Sequence, residues 1–241
     1  YGLVGSEMCI RDRSITEQVK RRRALTVDEI TYLLDWLRTK APKRRSLTGW
    51  ERAVLYQLAL TTGLRAAEIR SLTGRSIDSD SKTITVQRAC TKNRKEAILP
   101  LSEQIINDIK TLTAGKHPDA PLFKLTDKSA NLIREDLSDA KKDYADLGKT
   151  PSEKTRRSKD DFLAIETADG EIDFHALRHT FGSMLAAAGV HPKTSQTLMR
   201  HSSISLTLDR YSHSFREAET AAINSLPDFN SPKKLENMKQ A

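Results

Sequence analysis

The chain is poor in cysteine, in aromatic residues and in long apolar runs, and each shortage excludes something. Two cysteines in 241 residues cannot build the disulfide framework that small secreted domains depend on. No apolar run approaches the ~18 residues of a membrane span, and no charged–apolar–small leader opens the chain. A soluble, cytoplasmic protein with no membrane partner is expected. Phe, Trp and Tyr together reach only 5%, which argues against a single-strand binder that stacks bases on rings. What is abundant is charge. Lys and Arg number 40 against 32 Asp and Glu, a formal excess of +8. The sequence pI is about 9.5 and the mean hydropathy −0.55. A basic excess of this kind points to a polyanionic partner.

The opening residues read as foreign to the rest. Leu3 to Asp12 (LVGSEMCIRD) back-translates in frame to a transposon-type sequencing adapter. Residues 1–13 are therefore expected to be an assembly artefact, with protein sequence missing upstream. Cys90 is then the only native thiol, while the charge balance survives because Glu7 and Asp12 offset Arg11 and Arg13. Residues 14–25, with the run Lys20 to Arg23, read as a basic linker. Residues 26–226 read as one domain and 227–241 as a polar tail.

Within the domain, Thr26/Glu29 and Thr48/Glu51 have the spacing of capping boxes. Ile30, Leu33, Leu34 and Leu37 follow the first, predicting a helix to about Lys40. The second predicts a helix ending at Gly63, followed by a short helix over Arg65 to Leu72. The period then changes. Lys82 to Gln87 alternates and is β-branched, and Glu96 to Leu101 is its expected partner strand across a turn at Thr91–Lys95. Helices are expected from near Ser102 and from Ser129 to Leu147, with a charge-dense loop over residues 148–161. A strand at Glu171–Phe174 should lead into a helix from His175 to Gly189. Short helices over Pro192–Arg200, Ser203–Arg210 and Ser214–Asn224 complete the reading. The fold class is α+β, mainly helical, with a small antiparallel sheet.

Four segments combine chemistry-bearing residues. They are Thr61 to Ile69 (TTGLRAAEI), Thr91 to Lys95 (TKNRK), His175 to His179 (HALRH), and His201 onward (HSSISLTLDRYSH). Each alone has an ordinary explanation. Arg65 could simply pair with Glu68 three residues on, and turn lysines commonly protect sheet edges. His175 and His179 lie one turn apart, yet the glutamate of an HExxH site is absent and no paired carboxylate stands near, so no metal is expected.

Taken together and in order, the segments resemble the catalytic domain of the tyrosine recombinases, the phage-integrase family, over about Leu25 to Asn224. The resemblance implies roles position by position. Arg65 would be the first catalytic arginine and Lys92 the β-hairpin lysine, with Lys95 the fallback. His175 and Arg178 would be the histidine–arginine pair, His201 the second histidine and Tyr211 the nucleophile. Glu68 and His179 would support them. Two features depart from the pattern: Arg200 stands where the family usually has glycine, and the interval from His201 to Tyr211 is one residue longer than is commonest.

The implied reaction breaks and rejoins DNA without metal, cofactor or ATP. A tyrosine hydroxyl with an ordinary pKa near 10 must lose its proton as it attacks, and His175 is the first candidate to receive it. Arg65 and Arg178 would clamp the non-bridging oxygens, His201 would donate to a phosphate oxygen, and Lys92 would protonate the leaving 5′ oxygen. The resemblance also implies double-stranded DNA as partner, a homotetramer on two DNA sites, and accessory proteins in some members. The competing readings are a DNA-binding fragment without catalysis and a type IB topoisomerase-like enzyme.

Overall fold

The computed structural model describes residues 21–91 and 94–205. Both capping boxes form and launch the first two helices. α1 (Val27–Thr39) starts where Thr26 accepts from the Glu29 amide, and α2 (Gly49–Thr62) starts the same way from Thr48 and Glu51. The two differ in what surrounds them. α1 buries one stripe, Leu33, Trp36 and Leu37. α2 is buried on every side, Ala53 to Tyr56 and Leu58 to Leu60 included, as expected of a helix apolar all round. It is the central rod, and α1, α4 (Glu103–Thr113) and α7 (Phe174–Ala187) pack against it.

One polar group crosses this core. Arg52 and Asp136 are both fully buried and pair at 2.8 Å. The remaining Arg52 donors reach the carbonyls of Leu47 and Pro42, each at 2.9 Å. Tyr56 donates to the same carboxylate at 2.7 Å. Because each buried charge is paired and hydrogen-bonded, the network fixes α5 (Ser129–Asp146) against α2 instead of leaving a charge uncompensated.

The sheet expected as a two-stranded hairpin has three strands. β2 (Thr83–Val86) pairs antiparallel with β3 (Ala97–Pro100) in the register Ile84 opposite Leu99 and Val86 opposite Ala97. Those four side chains are buried, while Ile98 points outward, so period-two alternation sets the register. β1 (Ile77–Asp78) adds to the other edge of β2. It is too short for any alternation to register in the sequence. The connection between β2 and β3 is longer than a five-residue turn and contains a single helical turn at Arg88–Cys90.

Three expectations are corrected. Residues 148–161, read as loop, contain α6 (Pro151–Lys159), which Thr150 caps by accepting from the Glu153 amide. α6 has no buried residue, so a wholly polar sequence gave no hydrophobic period to detect. Residues 21–25 of the basic linker are part of the folded body. Arg23 is 8% exposed and forks onto Glu29 at 2.8 and 3.0 Å. Arg21 and Arg22 run beside β5 (Gly170–Glu171), itself paired with β4 (Glu166–Thr167). The Glu171 amide donates to the Arg21 carbonyl at 2.9 Å. A Cβ on Gly170 would lie 2.4 Å from that oxygen, so only glycine permits the approach. Residues 172 and 173 are not strand, and Phe174 already begins α7.

α3 (Ala66–Arg70) and α8 (Pro192–Met199) lie where short helices were expected. Among the described residues, no helix is long and apolar enough to cross a membrane. The reading of residues 1–13, the helix over Ser214–Asn224 and the tail 227–241 lie outside the described residues.

Candidate active site

Three chain reversals build the site. At the first, α2 ends on Gly63, whose φ of 62° is left-handed. A Cβ there would sit 2.6 Å from a ring carbon of Phe181 on α7, so glycine serves both conformation and packing. The reversal buries Leu64 and delivers Arg65 as the N-cap of α3. Glu68, 2% exposed, accepts from the Arg65 amide at 2.8 Å and from its guanidinium at 3.0 Å. The Arg65 side chain itself stays 29% exposed.

At the second reversal Asp173 caps α7 by accepting from the Ala176 amide at 3.0 Å. His175 and Arg178 then fall three residues apart on one face. Arg178 is only 3% exposed. One of its terminal nitrogens donates to the Gly63 carbonyl and the other to the Met199 carbonyl at the end of α8. This one fork ties together the three segments that carry Arg65, His175 and His201.

At the third, α8 ends on Arg200, whose φ is 52°. Its guanidinium turns back to Glu68 at 2.9 Å and to the Gly63 carbonyl at 3.3 Å. His201 follows, its backbone pinned through its amide to the Gln196 carbonyl at 3.1 Å and through its carbonyl to the Gln196 side chain at 3.2 Å.

The electrostatics follow from this crowding of cations. His175 is pushed down to about 4, first by burial and then by the charges of Arg22 and Arg178, with Asp173 opposing and Arg65 adding. The imidazole is therefore neutral at cellular pH, with an acceptor lone pair, and is a weaker base than an ordinary histidine. Burial by itself would raise the Glu68 carboxyl. Arg200, then the amide and guanidinium of Arg65, outweigh it and hold the group below the ordinary glutamate range. Two guanidiniums, Arg65 and Arg200, thus share one buried carboxylate, leaving a net positive site suited to an anion.

The segments that carry Arg65, His175, Arg178 and His201 are brought together. Lys92 and Tyr211 lie outside the described residues. Lys95 is exposed in the loop before β3, beside buried Thr91, whose hydroxyl donates to the Lys95 carbonyl at 2.7 Å. His179 is half-buried on α7. Among the described residues, no group of three or more His, Cys, Asp or Glu side chains could hold a metal ion.

Sequence reading passed over Arg22 and gave Arg200 no role. Arg22 pairs with the Asp173 cap at 2.9 Å, and nothing local signals a partner 151 positions away. Arg200 did carry a signal, since a bulky cation stands where glycine would suit the backbone.

Residues 23–218 match the family model described as the phage integrase family. The XerC-like tyrosine recombinase of Caldanaerobacter subterraneus subsp. tengcongensis is 28% identical, over 77% of this chain and 51% of that protein. The chain thus spans about half the length of the curated relatives it matches. Among solved structures, the Tn1549 transposon integrase in complex with transposon right end DNA superposes with a TM-score of 0.59 at 20% identity, covering 88% of this chain and 68% of that one. The catalytic domain of bacteriophage HP1 integrase gives 0.54 at 21% identity, covering 87% and 98%. These likenesses show the fold.

Proposed function

The chain belongs to the phage integrase family, and from that premise we propose that it breaks and rejoins duplex DNA at specific sites through a 3′-phosphotyrosyl intermediate on Tyr211. The observation that carries this reading is the Arg178 fork, which ties together the segments that carry Arg65, His175 and His201.

The chemistry runs as an in-line displacement. The Tyr211 hydroxyl oxygen attacks phosphorus as its proton passes to the neutral ring of His175. The Arg65 guanidinium, partly exposed and already ordered by Glu68, stabilises the negative charge that grows on the non-bridging oxygens. Arg178 acts from beneath, adding charge and holding the reversal at Gly63. His201 donates to a phosphate oxygen. The bond to the 5′ oxygen breaks and Lys92 supplies the proton that oxygen takes up. The products are a phosphotyrosyl ester and a free 5′-hydroxyl, and a hydroxyl from a second strand reverses the step without ATP. Duplex DNA is the partner, bound largely through its phosphates. We place the reaction in a homotetramer on two DNA sites in the cytoplasm.

The test uses a pool of nicked duplexes of randomised sequence, so that the cleaved 5′ fragment diffuses away and traps the ester. The expected result is a covalent protein–DNA species that denaturant does not separate. Duplex binding with no such species would overturn the reading in favour of a non-catalytic binder.

A further inference from the structure

Arg200 occupies a position that costs the fold something. Its φ of 52° is left-handed, a region suited to glycine. Its guanidinium is 12% exposed, and its Nε and Nη1 are buried with no hydrogen-bond acceptor among the described residues. Unpaired buried donors destabilise a fold, so the gain at this position lies elsewhere. Among the described residues its charged partner is Glu68, at 2.9 Å, and the same carboxylate also holds Arg65 at 3.0 Å.

That sharing has a consequence when an anion arrives. Arg65 is the exposed member of the trio, at 29%, so it is the one a phosphate reaches. Its Nη1 is engaged by Glu68 at 3.0 Å, and turning that nitrogen toward a phosphate loosens the hold on a carboxylate that is 2% exposed. If Arg65 were the sole partner, that move would strand a buried negative charge, which is strongly unfavourable. With Arg200 in place the charge stays compensated. Arg200 is itself poorly placed to meet the ligand, because its unused donors are covered by protein. We propose that Arg200 is a positioning residue: it is the standing counter-ion of Glu68 and so releases Arg65 to bind phosphate. The role at a DNA phosphate rests on the recombinase reading above; the release of Arg65 to an anion does not.

The experiment measures inorganic phosphate binding to the whole chain by ³¹P relaxation. The wild type should bind, and Arg200→Gly should weaken binding about tenfold, within the range of couplings between contacting charges. Arg200→Lys, which keeps a charge near Glu68, should recover most of the loss. Thermal unfolding should find Arg200→Gly folded, since glycine suits the left-handed backbone. In a Glu68→Gln background Arg65 has no carboxylate to leave, so adding Arg200→Gly should change affinity by less than about twofold. The proposal is overturned if the wild type binds no phosphate, if Arg200→Gly binds like wild type, or if Lys fails to rescue. It is equally overturned if the full loss persists with Glu68→Gln, which would make Arg200 a direct ligand. Adduct formation on the nicked-duplex pool is scored separately. Its absence in the wild type defeats the recombinase reading while the phosphate series still judges Arg200.

Discussion

Arg178 donates to the carbonyl of Gly63, 115 positions earlier in the chain. That contact joins the glycine that reverses α2 to the arginine that α7 carries beneath the site. Gly63→Ala should therefore damage both stability and activity. The left-handed backbone costs about 1 kcal/mol for a non-glycine residue, and the 2.6 Å approach to Phe181 adds to it. A drop in the urea midpoint, with at least about tenfold slower adduct formation, is expected. A fully active, equally stable variant would mean that the reversal does not position Arg65.

Tyr211→Phe should abolish the covalent adduct while duplex affinity, measured by mobility shift, stays within about twofold, since one hydroxyl adds little to binding dominated by phosphate contacts. Adduct formation by this variant would remove Tyr211 as nucleophile. Arg65→Ala should slow the step by about 10²–10³, the usual loss when one transition-state donor is removed.

Acid should act through His175. Its folded-state value of about 4 lies below the ordinary 6.5. Between those two values the unfolded chain binds a proton that the folded chain refuses, so this group destabilises the fold as pH falls through that window. Above about 6.5 it contributes no pH slope. Ring NMR of His175 should give a midpoint near 4. Arg22→Gln should move it upward, because a neighbouring cation is removed and Asp173 loses its partner at 2.9 Å. An unmoved midpoint would show that Arg22 has no electrostatic reach to the ring.

The buried pair in the core gives a prediction independent of catalysis. Asp136→Ala leaves Arg52, which is fully buried, without its carboxylate and removes the acceptor of the Tyr56 hydroxyl. A loss of about 3–5 kcal/mol is expected by urea unfolding, the usual cost of stranding one member of a buried ion pair. A loss below about 1 kcal/mol would place the stabilisation elsewhere in the core.

The residues fixed in advance much of what the structure contains, and the exceptions share a cause. Capping boxes at Thr26 and Thr48, the reversal at Gly63 and the alternation over Ile84 and Val86 are local signals, each complete within a few positions. So is the pairing of Arg65 with Glu68 across one helical turn. α6 escaped because no residue of it is buried, and β1 because two residues cannot display a period. The docking of Arg22 onto Asp173 and of Arg23 onto the Ala164 carbonyl escaped because those partners lie 151 and 141 positions away. Composition marked those arginines as linker, and tertiary packing gave them acceptors. In the site, the sequence singled out the side chains we propose for the chemistry. Tertiary structure decided that one carboxylate serves two arginines and that one guanidinium joins three segments, because burial makes every nearby charge find a partner wherever in the chain that partner sits.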